Sequence, residues 1–215
     1  PLAQQAAALP KWPHREFSKA SAFEAIEFLR STIRANPGEI NLLTIGPLTN
    51  AGLLFAADPE LPSLLKSLTM MAGRFLSSEG REWNAMGDPH ATAIVYQAQV
   101  PIHRSIGLDV TQKVWMEAAD VRRRFRAELL RPVLDFAEVW FQQVDGITFH
   151  DPLAAVTLFD PQVCAFQRGT VEVDLASAET AGKTLWLPGT AESRHQVAVE
   201  VAPDRFFNHY FSVVV

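Results

Sequence analysis

At 215 residues the chain is long enough for one substantial domain with a hydrophobic core. With 48% apolar and 20% charged residues it has the composition of an ordinary globular protein, which excludes a disordered chain. A net charge of −5 argues against nucleic acid as a partner, because its binders concentrate positive charge.

Residues 1–20 are rich in Pro, Ala and Gln and read as an irregular lead-in. A helix is expected from Ser21, with Glu24 completing a capping box and Phe23, Ile26, Leu29 and Ile33 forming one apolar face. Asn36, Pro37 and Gly38 break it. The apolar run 39–45 reads as a buried strand, and Gly46-Pro47 turns into a second helix. Residues 67–73 read as a strand, 88–98 as a helix and 101–107 as a third strand. Strands alternating with helices of this length indicate a mostly parallel sheet covered on both faces, an α/β fold.

The stretch 116–143 reads as two helices broken near Arg131-Pro132, with Trp115, Trp140 and Phe141 as helical packing residues. Arg122, Arg123, Arg124 and Arg126 alternate there with Glu117, Asp120 and Glu128, as on a solvated helix face. Another helix follows over 151–160. Three segments in 169–202 then read as strands with shorter connections, a partly antiparallel tail, before a last helix from about 203.

The single cysteine, Cys164, rules out an intrachain disulfide and any zinc site built from several thiolates. It fits a reducing compartment, so a cytoplasmic location is expected. No stretch is long and apolar enough to span a membrane, and the N-terminus lacks the layout of a signal peptide. His14, His90, His103, His195 and His209 are scattered and show no metal-ligand spacing.

In α/β sheets ligands bind beyond the carboxyl ends of the strands. The residues to inspect are therefore 45–50, 71–84, 107–111 and the approach to His150-Asp151. In "REWNAMGDPHA" (81–91), Asp88 and Pro89 read as a helix N-cap and first position. Glu82 and Asn84 have no such easy role, and a carboxylate with an amide two residues away suits the hydroxyls of a sugar. Trp83 is either core or a face offered to a ring. In "TFHDPLAAV" (148–156), Asp151 reads as an N-cap with Pro152 at the first helical position. Asp109 reads as support for its loop.

"LLTIGPLTNAG", "MMAG", "EWNAMGDPHA", "GLDVT" and "FHDPLAA" occur in this order and spacing. Together they resemble the inosine-uridine nucleoside hydrolase family, the calcium-dependent ribohydrolases, from about residue 21 to the C-terminus. The resemblance implies a Rossmann-like fold and hydrolysis of the N-glycosidic bond of ribonucleosides to ribose and free base. It implies Asp151 and the backbone carbonyl of Ile45 as calcium ligands, and His150 as the general acid at the leaving base. Glu82 and Asn84 would hold ribose hydroxyls, with Met71 packed near the sugar and Trp83 beside them. Calcium suits oxygen donors of this kind, and water bound to it becomes a usable nucleophile. A homodimer or homotetramer is implied as well.

The family's aspartate-rich loop after its first strand has no counterpart, and the chain contains no Asp-Asp dipeptide. A single domain, N-terminally incomplete relative to the family, is therefore expected, with an exposed sheet edge and apolar surface. The alternative is a catalytically inactive nucleoside- or ribose-binding remnant. Ala72 in place of the usual glycine, a short 74–80 segment and Trp83 in place of phenylalanine bear on base preference.

Overall fold

The computed structural model describes residues 3–13, 22–77 and 79–214. After a 3-10 turn at Gln4–Lys11, the elements in chain order are α1 (Ala22–Ala35), β1 (Asn41–Thr44), α2 (Thr49–Ala57), β2 (Ser67–Met70), α3 (Trp83–Gly87) and α4 (Pro89–Gln97). Next come β3 (His103–Ser105), α5 (Leu108–Thr111), β4 (Trp115–Glu117), α6 (Ala118–Arg124), α7 (Arg131–Trp140) and β5 (Gly146–Thr148). The chain closes with α8 (His150–Val156), β6 (Cys164–Val173), β7 (Thr184–Pro188), β8 (His195–Val201) and α9 (Pro203–Val213).

The central six-stranded sheet runs β1-β2-β3-β8-β6-β7. From β1 to β8 each neighbouring pair is parallel, while β6 runs antiparallel to both β8 and β7. All four residues of β2 are buried, as expected of a strand covered on both faces. One face packs Ile33, Leu54, Leu68 and Val95 beneath α1, α2 and α4. The other packs Ile106, Val110, Leu153 and Phe206 beneath α5, α8 and α9. The mostly parallel α/β sheet with an antiparallel tail is the architecture expected from the alternation of elements.

Four local expectations change. The lead-in contains the 3-10 turn Gln4–Lys11, which packs on α7 through buried Ala8 and a 3.0 Å hydrogen bond from Trp12 Nε1 to Asp135. Trp115 is not helical. It lies in β4, whose exposed-buried-exposed pattern has a period of two, and β4 pairs antiparallel with β5 in a separate small sheet. The helix expected over 151–160 begins at His150 and ends at Val156. On α1, Ile26, Leu29 and Ile33 pack on the core as expected, but Phe23 is 77% exposed. Ser21, the expected cap of that helix, lies outside the described residues.

β1 forms one edge of the sheet, and Phe28, Ile45 and Leu53 are exposed on or near it. Asp58, buried at the end of α2, is held by Arg30 at 3.0 Å and Arg34 at 2.6 Å from α1. The two guanidinium groups hold its carboxyl below the usual carboxylate range.

Candidate active site

Parallel pairing sends β1, β2 and β3 toward one end of the sheet, so the turns that follow them meet there. At that end Ile45, Met71, Arg81, Glu82, Trp83, Asn84, Leu108, His150 and Asp151 line a cavity of about 360 Å³. All seven residues singled out from the sequence are among them. Residues more than a hundred positions apart in the chain are brought together by strand order alone.

The turn after β2 is built on backbone geometry. Gly73 takes φ +90°, a conformation that side-chain-bearing residues rarely adopt. Its carbonyl accepts from Leu108 N–H at 2.9 Å, docking this loop on the turn after β3. Asp109 fastens the next two residues, accepting from Phe75 N–H at 2.6 Å and Leu76 N–H at 3.1 Å. Its role as loop support is therefore the observed one.

Glu82 has a structural role that its sequence context did not suggest. It caps α3, with Oε1 accepting from Asn84 N–H and Oε2 from Ala85 N–H, both at 2.8 Å, while Oε2 also accepts from Gly73 N–H at 3.1 Å. It is 3% exposed. Asn84 is nearly as buried, and its Nδ2 donates to the Met71 carbonyl at 2.9 Å, with Met71 Sδ at 3.4 Å. Trp83 is 73% exposed at the cavity wall, which removes it from the core. Asp88 caps α4 as expected, accepting from Ala91 N–H at 3.0 Å, and Thr49 donates to it at 2.8 Å.

Asp151 is not an N-cap. Phe149 occupies that position, its N–H bonded to the Val114 carbonyl and its carbonyl to Leu153 N–H, so the backbone enters α8 without a side-chain cap. The Asp151 carboxylate is left to the cavity. Burial, with the charge of Glu82 next, raises its pKa, so the protein favours a proton or a cation there. Beside it, the His150 ring is half-buried, which lowers its pKa, and its Nδ1 lies 2.7 Å from the hydroxyl of buried Thr111.

Ile45 sits one residue past β1, where its carbonyl is clear of the strand ladder. Among the described residues no group of three or more His, Cys, Asp or Glu could hold a metal ion. Asp151 and the Ile45 carbonyl are suitable donors for a hard cation, but they fall far short of the roughly 6–8 oxygens that calcium takes. By themselves the two do not make up a calcium site.

A second cavity, of about 500 Å³, opens on the other side of His150 and is walled by Trp115, Phe136, Trp140, Ile147 and Gln5. Trp115 and Trp140, expected to be packing residues, stand on this wall, and Gln5 and Trp115 reach it through the 3-10 turn and β4. Thr111 and Arg81 also belong to the site, the first beside His150 and the second on the wall of the smaller cavity, and nothing in their local sequence marks them. Of the other histidines, His103 and His195 are core residues. Cys164 is buried, which pushes its thiol up to about 12 and leaves it inert near neutral pH.

The profile of the inosine-uridine preferring nucleoside hydrolase family matches residues 3–208. A probable uridine nucleosidase 1 from Oryza sativa subsp. japonica is 30% identical over 169 residues, covering 73% of this chain and 52% of the relative. The pyrimidine-specific ribonucleoside hydrolase RihA of Salmonella typhimurium is 29% identical over 189 residues, covering 82% of this chain and 60% of the relative. The chain thus spans about half to three fifths of the length of these curated relatives. A plant nucleoside hydrolase, PpNRh1, superposes with a TM-score of 0.80 at 22% identity, over 97% of this chain and 73% of that one. A purine-preferring ribonucleoside hydrolase from Gardnerella vaginalis gives 0.77 at 22%, over 92% and 66%. These two share the fold. The match over residues 3–208, with its motifs gathered at one end of the sheet, settles the family: the chain belongs to the inosine-uridine preferring nucleoside hydrolases.

Proposed function

We propose that this site hydrolyses the N-glycosidic bond of ribonucleosides, with ribose in the 360 Å³ cavity and the base in the aromatic one. The observation that carries the reading is the position of His150. It lines both cavities and stands where the sugar–base bond would lie.

The hydrogen-bond inventory supports the sugar role. A carboxylate offers about four lone-pair sites, and the three backbone N–H groups leave Glu82 Oε1 with capacity for a hydroxyl. Asn84 spends its Nδ2 on the Met71 carbonyl and sulfur and keeps its carbonyl oxygen for the sugar. Breaking the bond builds positive charge on the ribose, which carboxylates at Glu82 and Asp151 stabilise. His150 delivers a proton to the departing base, with Thr111 fixing its ring. Trp115, Phe136 and Trp140 offer the base apolar and stacking surface.

Calcium is the expected cofactor, and its chemistry when bound is to lower the pKa of water. It would need oxygens beyond Asp151 and Ile45. The reading also carries a homodimer or homotetramer, as the family resemblance implies, and a cytoplasmic location, in line with the single cysteine. Among the described residues no helix is long and apolar enough to cross a membrane.

The test is base release from inosine, uridine and 4-nitrophenyl riboside by the purified protein and by His150→Ala. The variant should lose far more activity on the natural nucleosides than on the activated riboside. Equal losses on all three would remove His150 as the acid. Ligand binding without base release would make the site a binding site only.

A further inference from the structure

The wall of the aromatic cavity holds the rings of Trp115, Phe136 and Trp140 and one side-chain amide, that of Gln5. No aspartate, glutamate, lysine or arginine lines it. Gln5 belongs to the 3-10 turn Gln4–Lys11, which is clamped to α7, the helix that carries Phe136 and Trp140. Asp135 on α7 accepts from Trp12 Nε1 at 3.0 Å and pairs with Lys11 at 3.5 Å. Gln143, just past the helix, donates through Nε2 to Gln4 Oε1, and Ala8 of the turn is buried. These contacts fix the backbone at Gln5 relative to the two rings on α7.

The half-buried Gln5 amide makes no hydrogen bond to another described residue, whereas the side chain of its neighbour Gln4 is engaged. An amide has an oxygen that accepts and an N–H pair that donates, all in one plane. It therefore pairs bidentately with the edge of a planar ring that offers a donor beside an acceptor. The surrounding rings supply stacking, which every nucleobase satisfies because every base has a flat face. Stacking alone does not tell one base from another, so any discrimination by edge falls to the polar groups on the wall.

We propose that Gln5 reads the hydrogen-bonding edge of the nucleobase, and that the cavity selects bases carrying a donor next to an acceptor. Hypoxanthine and uracil present such an edge as a ring N–H beside a carbonyl. The Gln5 amide oxygen accepts from the ring N–H, and its own N–H donates to the carbonyl oxygen. A base without that edge still stacks on Phe136 and Trp140 but leaves the amide unpaired, and a site built to hydrogen-bond a group rejects the analogue that lacks it. Gln5 is thus a specificity-determining residue. The inference rests on the placement of the base proposed above.

Calorimetric titration of the purified protein with hypoxanthine and with purine, which lacks the carbonyl and the ring N–H beside it, tests the proposal. The same titrations are made on Gln5→Met, which keeps the length of the side chain and removes its hydrogen bonds, and on Gln5→Ala. Hypoxanthine should bind the unaltered protein about tenfold tighter than purine. Both substitutions should bring hypoxanthine down to the level of purine and leave purine unchanged, with thermal midpoints unmoved because the amide holds nothing in the fold. Equal affinity of the unaltered protein for the two bases overturns the proposal, as does an equal loss for both in the variants; Gln5 then only fills the wall, and the base placement stands. A preference for hypoxanthine that survives both substitutions overturns it too. Binding of neither base removes both the proposal and the base placement.

Discussion

The Glu82 carboxylate accepts a hydrogen bond from the amide of Gly73, nine residues earlier, at 3.1 Å. That bond closes the loop after β2 onto the start of α3, so the residue proposed to hold the sugar also holds the loop. Glu82→Ala leaves three backbone N–H groups without their acceptor, at a cost of about 1–3 kcal/mol for a buried donor. We expect urea denaturation to show at least about 2 kcal/mol lost. An unchanged midpoint would mean that water replaces the carboxylate freely.

In the proposed reaction Thr111 acts through His150, as a positioning residue. Thr111→Val keeps the shape but removes the hydroxyl 2.7 Å from Nδ1. Turnover of natural nucleosides should fall by roughly tenfold as the ring loses its orientation, and Thr111→Ser should restore most of it. If Ser and Val behave alike, the hydroxyl does not orient the ring.

Acid should weaken the fold through two buried histidines of the central sheet. His103 and His195 are buried with ring centroids 4.8 Å apart. His103 Nε2 bonds the Val95 carbonyl at 3.1 Å, and its Nδ1 is buried without a partner among the described residues. His195 Nδ1 accepts from Val171 N–H at 2.8 Å, a bond that protonation would destroy. Burial, reinforced by His195, pushes His103 down to about 3, and burial lowers His195 as well. Both rings are neutral when folded and protonate on unfolding near an ordinary pKa of about 6.5. The unfolded state therefore binds more protons below that pH. This contribution to stability is complete above about pH 6.5 and is lost as pH falls from there toward 3. Urea melts at about pH 7.5, 5.5 and 4.5 should show a fall on the order of a few kcal/mol. His103→Phe should flatten that profile, and a wild-type profile already flat would contradict the assignment.

Gly52 lets α2 cross α4 at close range, since a Cβ there would lie 2.6 Å from Ala91 Cβ. Gly52→Ala should cost about 1–3 kcal/mol through overpacking, read as a lower thermal midpoint. An unchanged midpoint would show that the two helices separate easily.

The site was legible in the sequence where its position followed from topology. Ile45, Met71, Glu82, Asn84 and Asp151 each follow or approach the end of a strand-like run, and parallel pairing gathers such positions. Local chemistry was harder to read. Glutamate is an uncommon N-cap, so the capping role of Glu82 gave no signal, whereas Asp151 before a proline imitated a cap that the Phe149 backbone supplies. Trp115 looks helical in the sequence because β4 is three residues long, too short for a period of two to stand out. Gln5 and Arg81 reach the cavities through tertiary contacts that local patterning does not encode.

Ribose is proposed to occupy the cavity lined by Glu82, Asn84 and Asp151 while the base lies past His150. Saturation-transfer NMR on inosine and uridine with the purified protein tests it most directly, alongside Asn84→Ala and Trp140→Ala. Transfer is expected to both ribose and base protons, with Asn84→Ala diminishing the ribose signals and Trp140→Ala those of the base. No transfer to a folded protein, or transfer that neither substitution alters, would contradict it.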